Sequence, residues 1–222
     1  MTMLYDVLKN PIGTFAATAI CVILCIVIPY LLGSVNFALV ISKIFYHDDI
    51  RKHGSGNAGM TNMLRTYGKA AAAGTLLCDM LKASVSVWLG MLLFGYIGGY
   101  IAGLFCILGH IFPIFFKFKG GKGVATTAAM VLTLDPVCFL ILIVLFILIV
   151  ATTKYVSLGS VICCMLYPLV TYKLATWGQG FPVIFSFLVA AVVIFMHREN
   201  IKRLRNHTEN KISFSKKNKE KK

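Results

Sequence analysis

The sequence predicts an all-helical integral membrane protein, and three observations carry that prediction. Apolar residues make up 58% of the 222-residue chain and charged residues only 14%, whereas a soluble domain averages about half and about a quarter. The mean hydropathy is +0.81. The remaining polar residues are gathered into a few short stretches instead of being spread along the chain. A chain of this size forms one membrane domain, taken as residues 1–212. The lysine-rich stretch 213–222 is expected to be a disordered tail attracted to anionic headgroups.

The elements follow from length and punctuation. A helix needs ~20 apolar residues to cross ~30 Å of hydrocarbon. The first candidate runs from Phe15 to Phe45, with Pro29 and Gly33 as places to bend. Thr14–Ser42 is far longer than a signal-peptide core and lacks a cleavage pattern, so it reads as a retained span. Tyr46–Lys69 is polar. Ala70–Phe116 has 47 residues, enough for two crossings with a turn near Gly95–Gly99. Lys117–Gly123 is polar again. Val124–Leu134 is short and ends at Asp135-Pro136, Pro136–Thr153 is a clean span, and Tyr155–Tyr172 another. A turn at Trp177–Pro182 leads to Val183–Met196. Counting Val124–Leu134 as a short crossing gives about seven transmembrane helices, and merging segments gives five. With seven, the N-terminus lies outside, while both polar loops and the C-terminus face the cytoplasm.

The net charge of +14 sits in those loops and in the stretch from Arg198 onward, as the positive-inside rule expects of cytoplasmic segments. No nucleic-acid recognition motif accompanies it, so nucleic acid is not an expected partner. The seven cysteines lie in apolar stretches without a C-x-x-C pair and read as small hydrophobes; no metal and no cofactor is expected.

Four polar features could carry chemistry. In Gly54-Ser55-Gly56-Asn57-Ala58-Gly59-Met60-Thr61-Asn62, followed by Arg65, glycines free the backbone to turn its N–H groups toward one point. The short polar side chains add hydrogen bonds, and the guanidinium can grip a phosphate. It is not a Walker A loop. In Phe118-Lys119-Gly120-Gly121-Lys122-Gly123, two lysines flank a glycine pair just before a helix N-terminus, where anions are favoured. His110, at the end of the preceding span, reads as structural or as a ligand to substrate. In His197-Arg198-Glu199-Asn200, His197 and Asn200 share one helical face, although a basic interfacial helix explains Lys202, Arg203 and Arg205 equally well. Within the membrane, Asp79 and Lys82 lie one turn apart and read as a structural ion pair, with a proton relay as the alternative. No His-x-x-x-x-Asp, G-x-S-x-G or H-E-x-x-H pattern occurs. A transporter would place its site at midplane and show repeats, whereas these motifs cluster at one face.

Taken together and in order, GSGNAGMTNMLRTYGK, GHIFPIFFKFKGGKGVAT and HRENIKRLRNHTE resemble the acyl-phosphate:glycerol-3-phosphate acyltransferase (PlsY-type) family of bacterial inner membranes. The likeness extends to Tyr30-Leu31-Leu32-Gly33-Ser34 and Asp79-Met80-Leu81-Lys82. The resemblance implies a seven-helix protein of the bacterial plasma membrane with its site facing the cytoplasm. Its expected reaction moves an acyl chain from acyl phosphate to the 1-hydroxyl of glycerol 3-phosphate. The products would be lysophosphatidic acid and phosphate, the first step of phospholipid synthesis, with a functional link to an acyl-phosphate-forming enzyme. By position it marks Ser55, Arg65, Lys122, His197 and Asn200 as catalytic. Gly54, Gly56, Asn57, Thr61, Asn62, Lys119, Gly120, Gly121, Gly123 and Glu209 are expected to bind substrate. Four positions depart from the family pattern: Asn36 for proline, Met60 for alanine, Ala83 for glycine and His207 for glycine. The last puts the helix end before Glu209 in question.

Overall fold

The computed structural model describes residues 11–174 and 180–212, with side chains from Phe15. Residues Trp177–Gln179 of the expected turn and the tail 213–222 lie outside these. The helices are α1 (Pro11–Ser34), α2 (Phe37–Tyr46), α3 (Met60–Tyr67), α4 (Lys69–Ile111), α5 (Val124–Leu134), α6 (Pro136–Thr153), α7 (Val156–Leu174), α8 (Gly180–Met196) and α9 (Arg198–Arg205). No strand occurs among the described residues. Four helical stretches are long and apolar enough to cross a membrane, and five if α8 and α9, bent by 60°, count as one broken span.

The first stretch breaks at Val35-Asn36, not at Pro29 or Gly33, which both lie within helix. Asn36 causes the break and repairs it. Its Oδ1 accepts from the Leu39 amide at 3.1 Å, capping α2, and its Nδ2 donates to the Ala58 carbonyl at 3.2 Å. The residue that departs from the family pattern thus ties α2 to the first glycine loop.

A straight helix with the 43 residues of α4 would measure ~65 Å, twice the hydrocarbon thickness. It doubles back at Phe94-Gly95, where Gly95 has φ +62° and ψ −156°, a conformation open to glycine. The turn lies at the start of the expected Gly95–Gly99 stretch; Gly98 is helical and meets Gly90 backbone to backbone across the hairpin. The returning arm packs equally closely on α1, because a Cβ at Gly33 would strike the Cys106 carbonyl and one at Gly109 the Tyr30 carbonyl. The α5 helix has 11 residues and covers only ~16 Å, about half the hydrocarbon thickness. Asp135 caps α6 through the Cys138 amide, with Pro136 at the first helical position.

Asp79 and Lys82 are buried and paired at 2.8 Å. The Lys82 ammonium also donates to the carbonyls of Gly33 (2.9 Å) and Val35 (2.7 Å), left open where α1 ends. His110 Nδ1 lies 3.1 Å from it. His110 therefore belongs to the ion-pair network that joins α1, α2 and both arms of α4.

Replacing Lys82 with Met strands a buried carboxylate and two carbonyls, and should cost about 3–5 kcal/mol. Thermal unfolding of Lys82→Met in detergent checks this, and the double variant Asp79→Asn/Lys82→Met should recover part of the loss. An unchanged melting temperature in the single variant would refute the role.

Candidate active site

Loop geometry decides which of the predicted residues reach a common point. In the first loop, Asn62 is buried and held by three bonds: its Oδ1 accepts from the Ser55 amide at 3.0 Å, and its Nδ2 donates to Ile50 and His53 carbonyls at 3.1 and 2.9 Å. Its side chain braces the loop and also lines the cavity, with a second acceptor site left on Oδ1. Gly54 and Gly56, with φ of +56° and +72°, make the turns and stay outside the cavity. Ser55, Asn57, Thr61 and Arg65 do line it.

The second loop corrects a larger part of the expectation. The amides of Gly120 and Gly121 are spent on the carbonyls of Ile111 and His110, each at 3.1 Å, so they do not face an anion. A Cβ at either position would collide with His110, and this close approach is why glycine stands there. The Lys119 side chain is exposed and away from the cavity, while its carbonyl accepts from Arg51 at 3.2 Å. The same guanidinium donates to the Phe116 carbonyl at 3.1 Å, binding the two loops together. Lys122 and Gly123 reach the cavity, beside the open first-turn amides of α5.

The third wall comes from the junction of α8 and α9. His197 is buried, with Nδ1 2.7 Å from the Val193 carbonyl. A carbonyl can only accept, so Nδ1 carries a proton; burial, with Lys122 nearby, pushes the imidazole down to about 4, so Nε2 keeps its lone pair near neutral pH. Asn200 accepts from the Lys122 ammonium through Oδ1. Its Nδ2 donates to Glu209 Oε1 at 2.7 Å. Glu209 also accepts from Ser157 Oγ at 2.8 Å and from Arg203 Nε at 2.7 Å. Glu209 thus sets Asn200, and Asn200 sets Lys122. His207 does not disturb this arrangement: it adopts φ +55° itself, so the turn a glycine would make is kept and Glu209 folds back under α9.

These groups crown one cavity of about 380 Å³. Arg65, Lys122 and Arg203 supply three cations against the Glu209 carboxylate, the Asp79 carboxylate at the cavity wall being already paired with Lys82, and this excess of positive charge suits phosphate. Burial, with Arg203 and Arg65 nearby and against the pull of Glu209, brings the Lys122 ammonium down to about 8. Burial also opposes ionisation of Glu209, but the bonds from Arg203, Asn200 and Ser157 outweigh it and hold the carboxyl below its ordinary range. Below this polar crown, α5, α6 and α7 line the cavity with apolar side chains such as Val131, Phe139, Ile143 and Phe146.

Sequence reasoning missed Arg203, Ser157 and the apolar trough. Arg203 lies one turn beyond Asn200 on the same face, a spacing that a basic interfacial helix concealed. Ser157 had no signal beyond being an isolated hydroxyl near the start of a span.

A family profile described as glycerol-3-phosphate acyltransferase matches residues 23–207. The chain belongs to that family. A glycerol-3-phosphate acyltransferase of Bacillus cereus (strain G9842) is 44% identical over 196 residues, covering 88% of this chain and 98% of its own. One of Thermoanaerobacter sp. (strain X514) is 42% identical over 190 residues, covering 86% and 95%. Among solved structures, PlsY (YgiH), described as an integral membrane glycerol 3-phosphate acyltransferase, is similar in its glycerol 3-phosphate form. The TM-score is 0.81 at 33% identity, covering 86% of this chain and 96% of that one. Its lysophosphatidic acid form gives a TM-score of 0.78 at 32% identity, covering 87% and 96%. The profile takes in the first two motifs and most of the third, so the chain is a PlsY-type acyltransferase of the membrane.

A non-glycine residue in the left-handed region costs ~1–2 kcal/mol. His207→Gly should therefore stabilise the acyltransferase by about 1 kcal/mol, read as a higher melting temperature with turnover unchanged. A lower melting temperature would mean that the imidazole holds the turn in some other way.

Proposed function

We propose that this acyltransferase moves an acyl chain from acyl phosphate to the 1-hydroxyl of glycerol 3-phosphate, releasing lysophosphatidic acid and phosphate. One observation carries the reading: three cations and an unprotonated His197 Nε2 crown a cavity whose depth is apolar. Phosphates fit above and a fatty chain beneath.

The chemistry needs little more. Acyl phosphate is an activated mixed anhydride, so no covalent enzyme intermediate is required. Arg65, Lys122 and Arg203 bring two like-charged phosphates together. The 1-hydroxyl oxygen attacks the acyl carbonyl carbon as its proton passes to His197 Nε2. The bond from that carbon to the phosphate oxygen breaks, and the departing phosphate takes the proton from the imidazolium. Ser55 orients the groups at the crown, and Asn57, Thr61 and the amide end of α5 at Gly123 complete the seat of the acceptor.

The site would face the cytoplasm of a bacterial plasma membrane, near an enzyme that forms acyl phosphate. Seven crossings remain our reading. The α4 hairpin supports it by supplying two passes from one long helix, with α5 as a short pass. That count puts the N-terminus outside and the basic C-terminal segment inside.

Purified protein given hexadecanoyl phosphate and labelled glycerol 3-phosphate, with nothing else added, should form labelled lysophosphatidic acid. Lys122→Ala should lose roughly 10²–10³ of that rate. Absence of product from folded protein would overturn the proposal. Because Lys122 must be charged to hold phosphate, kcat/KM should fall as pH rises through about 8. Glu209→Gln removes the charge that favours the ammonium and should move this limb to lower pH; Lys122→Arg should move it higher. A limb unmoved by both would exclude Lys122 as its source.

A further inference from the structure

The cavity has a floor, and its walls are graduated. On α5 the lining side chains recur one turn apart, at Val124, Ala128 and Val131; on α7 they descend from Ser157 to Tyr167. The α6 helix runs the other way, with Phe146 near the mouth and Phe139 at the bottom. Its antiparallel pairing with α7 is fixed by Cys163 Sγ on the Leu142 carbonyl (3.3 Å) and by Cys138 beside Thr171 (3.9 Å).

Ten residues of α7 separate Ser157, which holds Glu209, from Tyr167, a drop of ~15 Å. One leaflet of a bilayer core of ~30 Å is just as deep, so the trough fits a chain of the length found in membrane lipids. It stops there because Tyr167, 4% exposed, is backed by the packed rings of Tyr100 and Phe185, 5.2 Å apart. Among the described residues, Phe139 on α6 and Tyr167 on α7 are the last side chains on these helices to line the cavity.

We infer that Phe139 and Tyr167 form the stop that sets the acyl length this enzyme accepts, with Val131 grading the chain one layer above. The inference rests on the acyl-transfer reading, since it assigns the trough to the chain whose phosphate sits under Lys122. Methylenes that reach below Val131 gain burial, and those beyond Tyr167 must fold back or leave the trough. Each methylene denied burial costs roughly fourfold in affinity, so excluding two of them gives a shift of about fifteenfold.

Unreactive alkyl phosphates test this by equilibrium binding to the purified protein. Val131→Phe should weaken hexadecyl phosphate roughly tenfold or more relative to octyl phosphate. Tyr167→Ala should shift preference the opposite way, favouring docosyl over hexadecyl phosphate compared with the parent; Phe139→Leu replaces it if that variant does not fold. Opposite shifts are the signature of a stop, because general damage to the bundle would move both variants alike. An unchanged length order, or shifts in one direction only, would overturn the inference. If the parent protein binds no alkyl phosphate of any length, the acyl-transfer reading itself fails, and the two failures are thereby told apart.

Discussion

A lysine ammonium inside an apolar bundle must find acceptors or give up its charge, and Lys82 finds them at the point from which both glycine loops are built. Asp79 neutralises it, while the carbonyls of Gly33 and Val35 take its remaining protons where α1 ends. His110 stands beside it and passes the constraint outward, for its carbonyl anchors the Gly121 amide of the second loop. Asn36, one residue past Val35, holds the Ala58 carbonyl of the first. The two loops are thus tied through one buried cluster to α1, α2 and both arms of α4. Through these bonds Lys122 and Arg65 are brought to the same cavity.

The second constraint is electrostatic. Gathering Arg65, Lys122 and Arg203 without substrate is unfavourable, and Glu209 offsets part of the cost by accepting from Arg203, Asn200 and Ser157 at once. Burial first, and then the neighbouring Arg203 and Arg65, still bring the Lys122 ammonium down. A site poised in this way gains more from an arriving phosphate than a neutralised one would, since the dianion restores the charge the lysine is losing.

Much of this was legible from residue order. Hydropathy marked the helices, and the glycine and basic punctuation marked the loops, because a bilayer tolerates irregular polar backbone only where protein covers it. The Asp79–Lys82 pair was readable from spacing and from the cost of charge at depth. Backbone accounting was not: nothing in FKGGKG says that Gly120 and Gly121 turn their amides toward the end of α4 instead of toward a ligand. Nor did the polar run reveal that Asn62, at the cavity wall, also braces three loop groups. The break at Val35-Asn36 was hidden behind Pro29, which α1 carries without interruption. The trough was invisible because residues spaced three and four apart in a membrane helix face lipid, protein or a cavity with equal ease.

A crystal structure with an unreactive long-chain alkyl phosphonate bound tests the central claim most directly. The account predicts the phosphonate oxygens within hydrogen-bond reach of Lys122 Nζ and the Arg65 guanidinium, and the chain running down between α5, α6 and α7. A phosphonate held elsewhere, or a chain lying outside the bundle with the trough empty, would contradict it.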